Sequence, residues 1–166
     1  MTESNSPTLR NPARIVVVDD EQDMRASISQ WLSLSGFAPE TYASAEEALG
    51  ALNPDFAGIV VTDIRMPGMD GMAFLKRLMG MDASLPVILI TGHGDVPMAV
   101  EAMRLGAYDF LEKPFDPERM TELARNALKA RGLALENRAL RQELADGSTL
   151  MRRLVGASAD MVRLRE

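Results

Sequence analysis

Residues 58–71 read GIVVTDIRMPGMDG and are the segment of this sequence most informative about its fold. Its first five residues are small, β-branched or apolar, a composition typical of a strand buried on both faces of a sheet. Asp63 follows this run directly and stands at the start of a loop rich in Gly and Pro. The stretch therefore predicts a buried strand that delivers one carboxylate to the edge of a parallel sheet.

Three further strand-like runs also end in residues that carry chemistry. These are IVVV (15–18) before Asp19 and Asp20, VILI (87–90) before Thr91, and YDFL (108–111) before Glu112 and Lys113. The carboxyl ends of parallel strands meet at one edge, and open α/β sheets bind their ligands there. We therefore expect an acid pair, a lone acid, a hydroxyl and a lysine to lie together at that edge.

Strand and helix patterns alternate along the chain from Arg14. We predict strands over 14–18, 37–42, 57–62, 86–90 and 107–111, and helices over 23–35, 44–52, 70–81, 95–105 and 116–130. Parallel strands need crossover connections, which are usually helices, so five such units predict an α/β fold. The expected architecture is a flavodoxin-like (βα)5 fold with a five-stranded parallel sheet of order 2-1-3-4-5.

Turn and cap residues support these helix boundaries. Ser44 and Glu47 form a predicted capping box, and Asp116 precedes Pro117 as an N-cap before an N1 proline. Asp95, followed by Pro97, is placed to begin the fourth helix. Gly36 and Gly106 stand just past the first and fourth helices, where a left-handed residue is common.

The four motifs resemble, in their order along the chain, those of the receiver domain of two-component response regulators. The motifs are Asp19-Asp20, Asp63, Thr91 and Lys113-Pro114, and the resemblance covers residues 13–128. Two longer stretches, TGHGDVPMAV (91–100) and GAYDFLEKPF (106–115), are similar to receivers of σ54-dependent (NtrC-like) activators. The resemblance implies a phosphorylation-controlled regulatory domain rather than an enzyme that turns over a separate substrate.

Three carboxylates at one sheet edge repel one another, and a divalent cation relieves that repulsion. Ligands that are all oxygen suit Mg²⁺, which usually takes one or two carboxylates together with phosphate oxygens. The resemblance implies that Asp20, Asp63 and the backbone carbonyl of Arg65 bind Mg²⁺ directly, with Asp19 acting through a water.

Asp63 is the expected nucleophile and phosphorylation site. A carboxylate that attacks a phosphoryl group forms an acyl phosphate, and catalysis then depends on positioning and charge neutralisation. The resemblance implies that Thr91 donates its hydroxyl to a phosphoryl oxygen and that Lys113 supplies a positive charge. It also implies a cis peptide bond between Lys113 and Pro114.

The resemblance also implies how phosphorylation is transmitted. Thr91 moves toward the phosphoryl group, and Phe110, three residues before Lys113, turns inward as a switch residue. The expected output surface is the fourth helix, fifth strand and fifth helix, roughly 95–128. We expect a sensor histidine kinase as phosphoryl donor, and a homodimer whose arrangement controls a downstream ATPase.

A second helical segment follows the last strand–helix unit. Leu133 and Leu140 occupy predicted heptad d positions, and Asn137 and Leu144 occupy a positions. A polar Asn at one a position favours two-stranded pairing, although two heptads are also compatible with a helix that packs on its own domain. We interpret 129–146 as a dimerisation linker, which the helix-disfavouring Gly132 loosens at its start.

The two ends of the chain differ from the segments between them. Residues 1–12 are interpreted as a flexible leader, and 147–166 resemble the opening of an AAA+ ATPase domain. No Gly-x-x-x-x-Gly-Lys-Ser/Thr loop follows, so we expect no ATP hydrolysis by this chain. In a full-length protein the expected partners are that AAA+ domain, σ54 RNA polymerase and DNA.

Composition narrows the class of protein. The 166 residues are 46% hydrophobic and 25% charged, as in globular domains, and no apolar run is long enough to span a membrane. The absence of cysteine excludes disulfides and thiolate sites and fits a cytoplasmic protein. Residues 1–117 carry 8 basic and 17 acidic side chains, a net charge of −9 that disfavours duplex DNA as a partner of this segment.

Two alternative functions remain at this stage. A haloacid-dehalogenase-like phosphatase also uses an Asp nucleophile with Mg²⁺, but it requires Asp-x-Asp after its first strand, and residues 63–65 lack the second acid. The other alternative is a free-standing receiver that acts by protein contact. His93, the single histidine, is interpreted as an exposed loop residue, and Met66, Met69 and Met72 as core residues rather than a partner surface.

Overall fold

The computed structural model describes residues 14–92 and 94–154, with side chains described as far as residue 145. Five strands in this part of the chain form one parallel sheet of order β2-β1-β3-β4-β5. They are β1 (Arg14–Val18), β2 (Ala38–Tyr42), β3 (Gly58–Asp63), β4 (Val87–Thr91) and β5 (Asp109–Glu112). This topology confirms the predicted flavodoxin-like α/β fold.

Five helices connect or follow these strands. They are α1 (Gln22–Leu34), α2 (Ala45–Leu49), α3 (Gly71–Met81), α4 (Val96–Leu105) and α5 (Pro117–Leu154). The helix α2 is shorter than predicted because Gly50 is already its C-cap residue and a turn follows. The helix α5 is continuous through Gly132, so the helix predicted over 116–130 and the linker helix predicted over 129–146 are one helix. A single glycine costs a helix only about 1 kcal/mol relative to alanine, which the flanking helix-forming residues can offset.

Strand side chains alternate between two buried layers, one on each face of the sheet. One layer combines Val16, Val18, Val60, Val87 and Leu89 with residues of α2, α3 and α4. The other combines Ile15, Val17, Ile59, Val61, Ile88 and Ile90 with residues of α1 and α5. Because neighbouring strand residues point to opposite faces and both faces are covered, the central strands β1, β3 and β4 are mostly apolar. The edge strands β2 and β5 are less buried and carry charged residues.

Most predicted caps are present. The Ser44 hydroxyl accepts a hydrogen bond from the Glu47 amide at 3.1 Å, and Pro117 is the first residue of α5 after Asp116. Gly36 and Gly106 have φ of +93° and +117°, the left-handed region in which a Cβ is unfavourable. These residues end α1 and α4 and turn the chain back toward the sheet.

A buried ion pair lies at the amino edge of the sheet, before β3 and β4. Arg131 is 1% exposed, and its guanidinium donates to the Phe56 carbonyl at 2.9 Å and to the Ser84 hydroxyl at 3.0 Å. It also donates to Asp82 Oδ2 at 2.8 Å. The Asp82 carboxylate accepts further bonds from the amides of Asp55 and Ser84. The end of α5 within the first unit is therefore tied to two loops of the sheet.

The chain divides into two units, one that ends at Gly132 and one that begins at Leu133. In the second unit Leu133 and Leu140 are 62% and 50% exposed, Asn137 is exposed and Leu144 is half-buried. The boundaries predicted for the leader, receiver, linker and ATPase segments stay predictions. Among the described helices, none is both long and apolar enough to cross a membrane.

Candidate functional site

The predicted site residues lie at the carboxyl edge of the sheet. Asp19 follows β1 directly, Asp63 is the last residue of β3, Thr91 is the last of β4, and Lys113 follows β5. The Lys113 Nζ atom lies 3.3 Å from Asp63 Oδ2. The sheet therefore brings the lysine and the lone acid of the sequence into direct contact.

Three carboxylates share this edge. Asp19, Asp20 and Asp63 each place an oxygen within 4.8 Å of the other two, and Asp19 and Asp63 are buried while Asp20 is exposed. The Asp19 Oδ1 atom accepts a hydrogen bond from the Glu21 amide at 2.9 Å. Its Oδ2 atom is buried and, within the described residues, has no hydrogen-bond partner.

This arrangement shifts the protonation of the cluster. Burial raises the pKa of Asp19 from 3.8 to about 6, and repulsion from Asp63 adds to that rise. Burial alone would lower the pKa of Lys113, but attraction to Asp63 and Asp19 outweighs it and raises the pKa. The lysine therefore stays charged. Its single positive charge does not balance the three carboxylates of the cluster.

The donor set fits a hard divalent cation such as Mg²⁺. Every available ligand atom is oxygen, two of the three carboxylates are buried, and Asp19 Oδ2 has no hydrogen-bond partner within the described residues. The Arg65 amide donates to Asp63 Oδ1 at 3.3 Å. The Arg65 carbonyl, the predicted Mg²⁺ ligand, belongs to the same loop after β3. Its role as a ligand stays a prediction.

Gly71 sets the position of this loop against α3. A Cβ at this residue would lie 2.5 Å from the Asp63 carbonyl oxygen and 2.7 Å from the Cα of Ile64. The Gly71 amide donates to the Ile64 carbonyl at 2.8 Å. Only glycine allows the start of α3 to approach the acid so closely, because any side chain would push the loop away.

The predicted switch residues lie on neighbouring strands. Thr91 is fully buried, and its hydroxyl donates to the Leu111 carbonyl at 3.4 Å. The Lys113 amide donates to the Thr91 carbonyl at 2.8 Å, and the Lys113–Pro114 bond is cis, as the resemblance implied. Phe110 is half-buried and packs against the core layer that contains α4. In this state the threonine hydroxyl is therefore engaged with β5.

Sequence reasoning missed an ion pair that joins two loops of the site. The Arg65 guanidinium donates to both carboxylate oxygens of Asp95, at 2.7 to 2.9 Å. Asp95 occupies the N-cap position of α4, as predicted, but its side chain makes no cap hydrogen bond. The two residues are 30 positions apart, so no local pattern pointed to their contact.

A second missed contact lies on α1. Arg25 donates from Nη1 to the backbone carbonyl of Asp19 at 2.6 Å. Six residues further along α1 lies Trp31, whose ring packs edge-on against Phe115 with centroids 5.8 Å apart. Trp31 and Phe115 line a mainly apolar cleft that also includes Lys113 and Pro114. The acid cluster thus has a charged side and an aromatic side.

The remaining predicted residues lie elsewhere. Met66 is buried, and Met69 and Met72 pack against the core, in agreement with their interpretation as core residues. His93 lies outside the described residues. The four predicted dimer residues, Leu133, Asn137, Leu140 and Leu144, belong to the second unit.

Comparison with known proteins identifies the family. Residues 15–125 match the response regulator receiver domain, and the chain belongs to this family. The chain is 48% identical over 152 residues to the C4-dicarboxylate transport transcriptional regulatory protein DctD of Rhizobium meliloti, covering 92% of this chain and 33% of that protein. It is 52% identical over 153 residues to DctD of Pseudomonas aeruginosa, with the same coverage.

Solved structures support the same assignment. NtrX from Brucella abortus in complex with ADP superposes with a TM-score of 0.70 at 42% identity, over 78% of this chain and 30% of that chain. The chain spans about a third of the length of the two DctD relatives. The predicted resemblance to response-regulator receivers is therefore confirmed.

Proposed function

We propose that Asp63 accepts a phosphoryl group from a sensor histidine kinase and that this controls a σ54-dependent transcriptional activator. The observation that carries the proposal is the placement of Asp63 Oδ2 3.3 Å from Lys113 Nζ, within a cluster of three carboxylates. A nucleophilic acid, a fixed positive charge and an oxygen-only cation site are the parts that phosphoryl transfer to a carboxylate requires.

The chemistry assigns a separate role to each side chain. An Asp63 oxygen attacks phosphorus as the bond between phosphorus and the kinase's histidine nitrogen breaks, and the product is an acyl phosphate. Lys113 balances negative charge on the transferred group, and Thr91 donates its hydroxyl once it leaves the Leu111 carbonyl. Asp20, Asp63 and the Arg65 carbonyl would hold Mg²⁺, with Asp19 acting through a water, and the bound cation would neutralise charge on the carboxylates and phosphoryl oxygens.

In this proposal the chain is not an enzyme with a separate substrate. Its reactions are its own phosphorylation and dephosphorylation, in the cytoplasm, where a kinase and a transcriptional activator meet. A phosphatase that turns over phosphomonoesters remains the alternative. The membership of residues 15–125 in the receiver family favours the first function.

Switching follows from the movement of Thr91 and Phe110. Their displacement would alter the surface formed by α4, β5 and the first turns of α5, where Val100 and Met103 are already 52% and 38% exposed. We propose that this surface and the linker helix form a homodimer whose arrangement changes on phosphorylation. In the full-length protein that change would control an AAA+ domain that acts on σ54 RNA polymerase at DNA.

The central experiment is phosphorylation by labelled acetyl phosphate with Mg²⁺. Asp63→Asn abolishes incorporation, while Asp23→Asn, a change at an exposed acid of α1, leaves it unchanged. Label that persists in Asp63→Asn would refute the assignment of the nucleophile. Steady turnover of p-nitrophenyl phosphate by the unaltered chain would instead support the phosphatase.

The linker is tested separately by light scattering. Leu140→Asp combined with Leu144→Asp places two charges on the proposed heptad seam and yields a monomer. The matched control is Gln142→Asp, at an exposed heptad f position away from the seam, which leaves the mass unchanged. A dimer mass in the double variant would rule out the linker as the main contact.

A further inference from the structure

Arg65 and Asp95 link the two loops that flank the proposed phosphorylation site. Arg65 lies two residues after Asp63, on the loop that follows β3, and Asp95 lies on the loop that follows β4 and Thr91. Both nitrogens of the guanidinium that face Asp95 are within 2.9 Å of its carboxylate. The contact therefore joins the loop of the nucleophile to the loop that must move if Thr91 moves.

The two partners differ in their environments. The Arg65 side chain is 69% exposed, whereas that of Asp95 is 7% exposed. The hydrogen bonds from Arg65 lower the pKa of Asp95, so its carboxylate is charged although it is largely buried. A buried carboxylate needs donors, and if Arg65 left, Asp95 would keep only the Gly92 amide and would need a further donor.

The start of α4 supplies that replacement. Asp95 is the N-cap residue, and an N-cap side chain normally accepts a hydrogen bond from the second or third helical amide. Pro97 is the second residue of α4 and has no amide hydrogen, so the Met98 amide is the available donor. In this structure that amide instead donates to the Asp95 backbone carbonyl at 3.0 Å.

The phosphoryl group would compete for Arg65. The Arg65 amide is 3.3 Å from Asp63 Oδ1, so its side chain starts beside the carboxylate that would carry the phosphoryl group. A guanidinium pairs with phosphate in the same bidentate way as with carboxylate, and the phosphoryl group carries more negative charge. The exposed guanidinium can change partners without first being desolvated.

We infer that Arg65 exchanges partners on phosphorylation, leaving Asp95 for the phosphoryl group and freeing Asp95 to cap α4. This inference rests on the proposed function. In it, the Arg65–Asp95 ion pair holds the loop after β4 in the arrangement of the unphosphorylated protein. It ties formation of the acyl phosphate to a change in the first turn of α4.

Beryllofluoride with Mg²⁺, a mimic of the phosphoryl group, tests the exchange by isothermal titration calorimetry. Asp95→Asn removes the charge that competes for Arg65 but keeps an oxygen able to cap α4, so the apparent affinity rises roughly three- to tenfold. In an Arg65→Met background the same change has no effect, because the competition no longer exists. The matched control is Glu40→Gln, which alters another bidentate ion pair, with Arg14 at the far end of β1, and leaves the affinity unchanged.

Amide hydrogen exchange tests the second half of the inference. Beryllofluoride increases protection of the Met98 amide in the unaltered chain and in Asp95→Asn, but not in Asp95→Ala. An unchanged affinity in Asp95→Asn, or an equal gain with and without Arg65, would overturn the exchange. If the unaltered chain does not bind beryllofluoride in the presence of Mg²⁺, that result contradicts the proposed function itself.

Discussion

Two groups of buried charge lie at opposite edges of the same sheet and differ in how their charge is satisfied. At the amino edge, Arg131 and Asp82 bind each other at 2.8 Å and take further partners from two loops. At the carboxyl edge, Asp19 is equally buried, yet its Oδ2 is the one buried polar side-chain atom in the described part of the chain without a partner. The six residues of β3 separate the two edges by roughly 20 Å.

The difference separates structural charge from functional charge. A charge removed from water is unfavourable unless it is paired, and the amino edge supplies both members of the pair from the chain. The carboxyl edge gathers three acids against one lysine, so part of its negative charge is left for an external cation. Completing that site with protein groups would stabilise the fold but occupy the place of the ligand.

Breaking the amino-edge pair is expected to have the largest effect on stability. Arg131→Met leaves the Asp82 carboxylate buried without its cation, so the free energy of unfolding falls by about 3–5 kcal/mol. Urea denaturation measures this loss. Adding Asp82→Leu removes the stranded charge and restores most of the stability, whereas additive losses would show that the pair is not energetically coupled.

Removing the unpaired charge of Asp19 at the carboxyl edge is expected to raise the free energy of unfolding, not lower it. The folded-state pKa of Asp19 is about 6 against 3.8 for the unfolded chain, so its favourable contribution is present below pH 3.8 and lost as the pH rises through 6. Without Mg²⁺, Asp19→Asn is therefore more stable than the unaltered chain by about 1–3 kcal/mol at pH 8. The two chains converge near pH 4. Equal stability at pH 8 would contradict the picture of an unsatisfied acid.

Magnesium should reverse that penalty in the unaltered chain. Mg²⁺ at ten times its dissociation constant stabilises the folded state by about 1.4 kcal/mol. The gain shrinks as the pH falls through 6, because a protonated Asp19 no longer attracts the cation. Thermal melts at pH 7.5 and pH 5 measure the difference. At each pH, the sample with Mg²⁺ is compared with a metal-free sample that contains a chelator.

The smallest effect is expected at a pair that is neither buried nor part of the site. Arg14 and Glu40 are 43% and 29% exposed, and they contact at 2.6 Å. Glu40→Gln lowers the free energy of unfolding by less than about 1 kcal/mol, because water screens exposed pairs. A loss as large as that of Arg131→Met would mean that burial does not decide the strength of ion pairs here.

Much of the fold could be predicted because its signals are local. The runs at 15–18, 58–62 and 87–90 are almost entirely apolar, and a residue of the site directly follows each of them. Parallel pairing then brings those ends together without any knowledge of side-chain contacts. Asp63 and Lys113 meet in this way although they are 50 positions apart.

The parts that could not be predicted depend on contacts with no local pattern. Arg131 lies in a helical stretch where arginines are usually solvated, and its partners are 47 to 75 positions away. Arg65 and Asp95 belong to two loops whose relative position only the folded sheet determines. Gly132 was predicted to loosen the junction of two helices, but α5 passes through it without a break, because one glycine costs little beside the favourable helix on both sides.

Trp31 has a practical consequence for every binding measurement on this protein. It is the single tryptophan of the chain, and its ring lies edge-on to Phe115 in the cleft that also contains Lys113. An indole that lines the same cleft as a charged lysine responds to changes in the local field. We therefore expect its emission to report cation and beryllofluoride binding directly, so that the unlabelled chain serves as its own optical sensor.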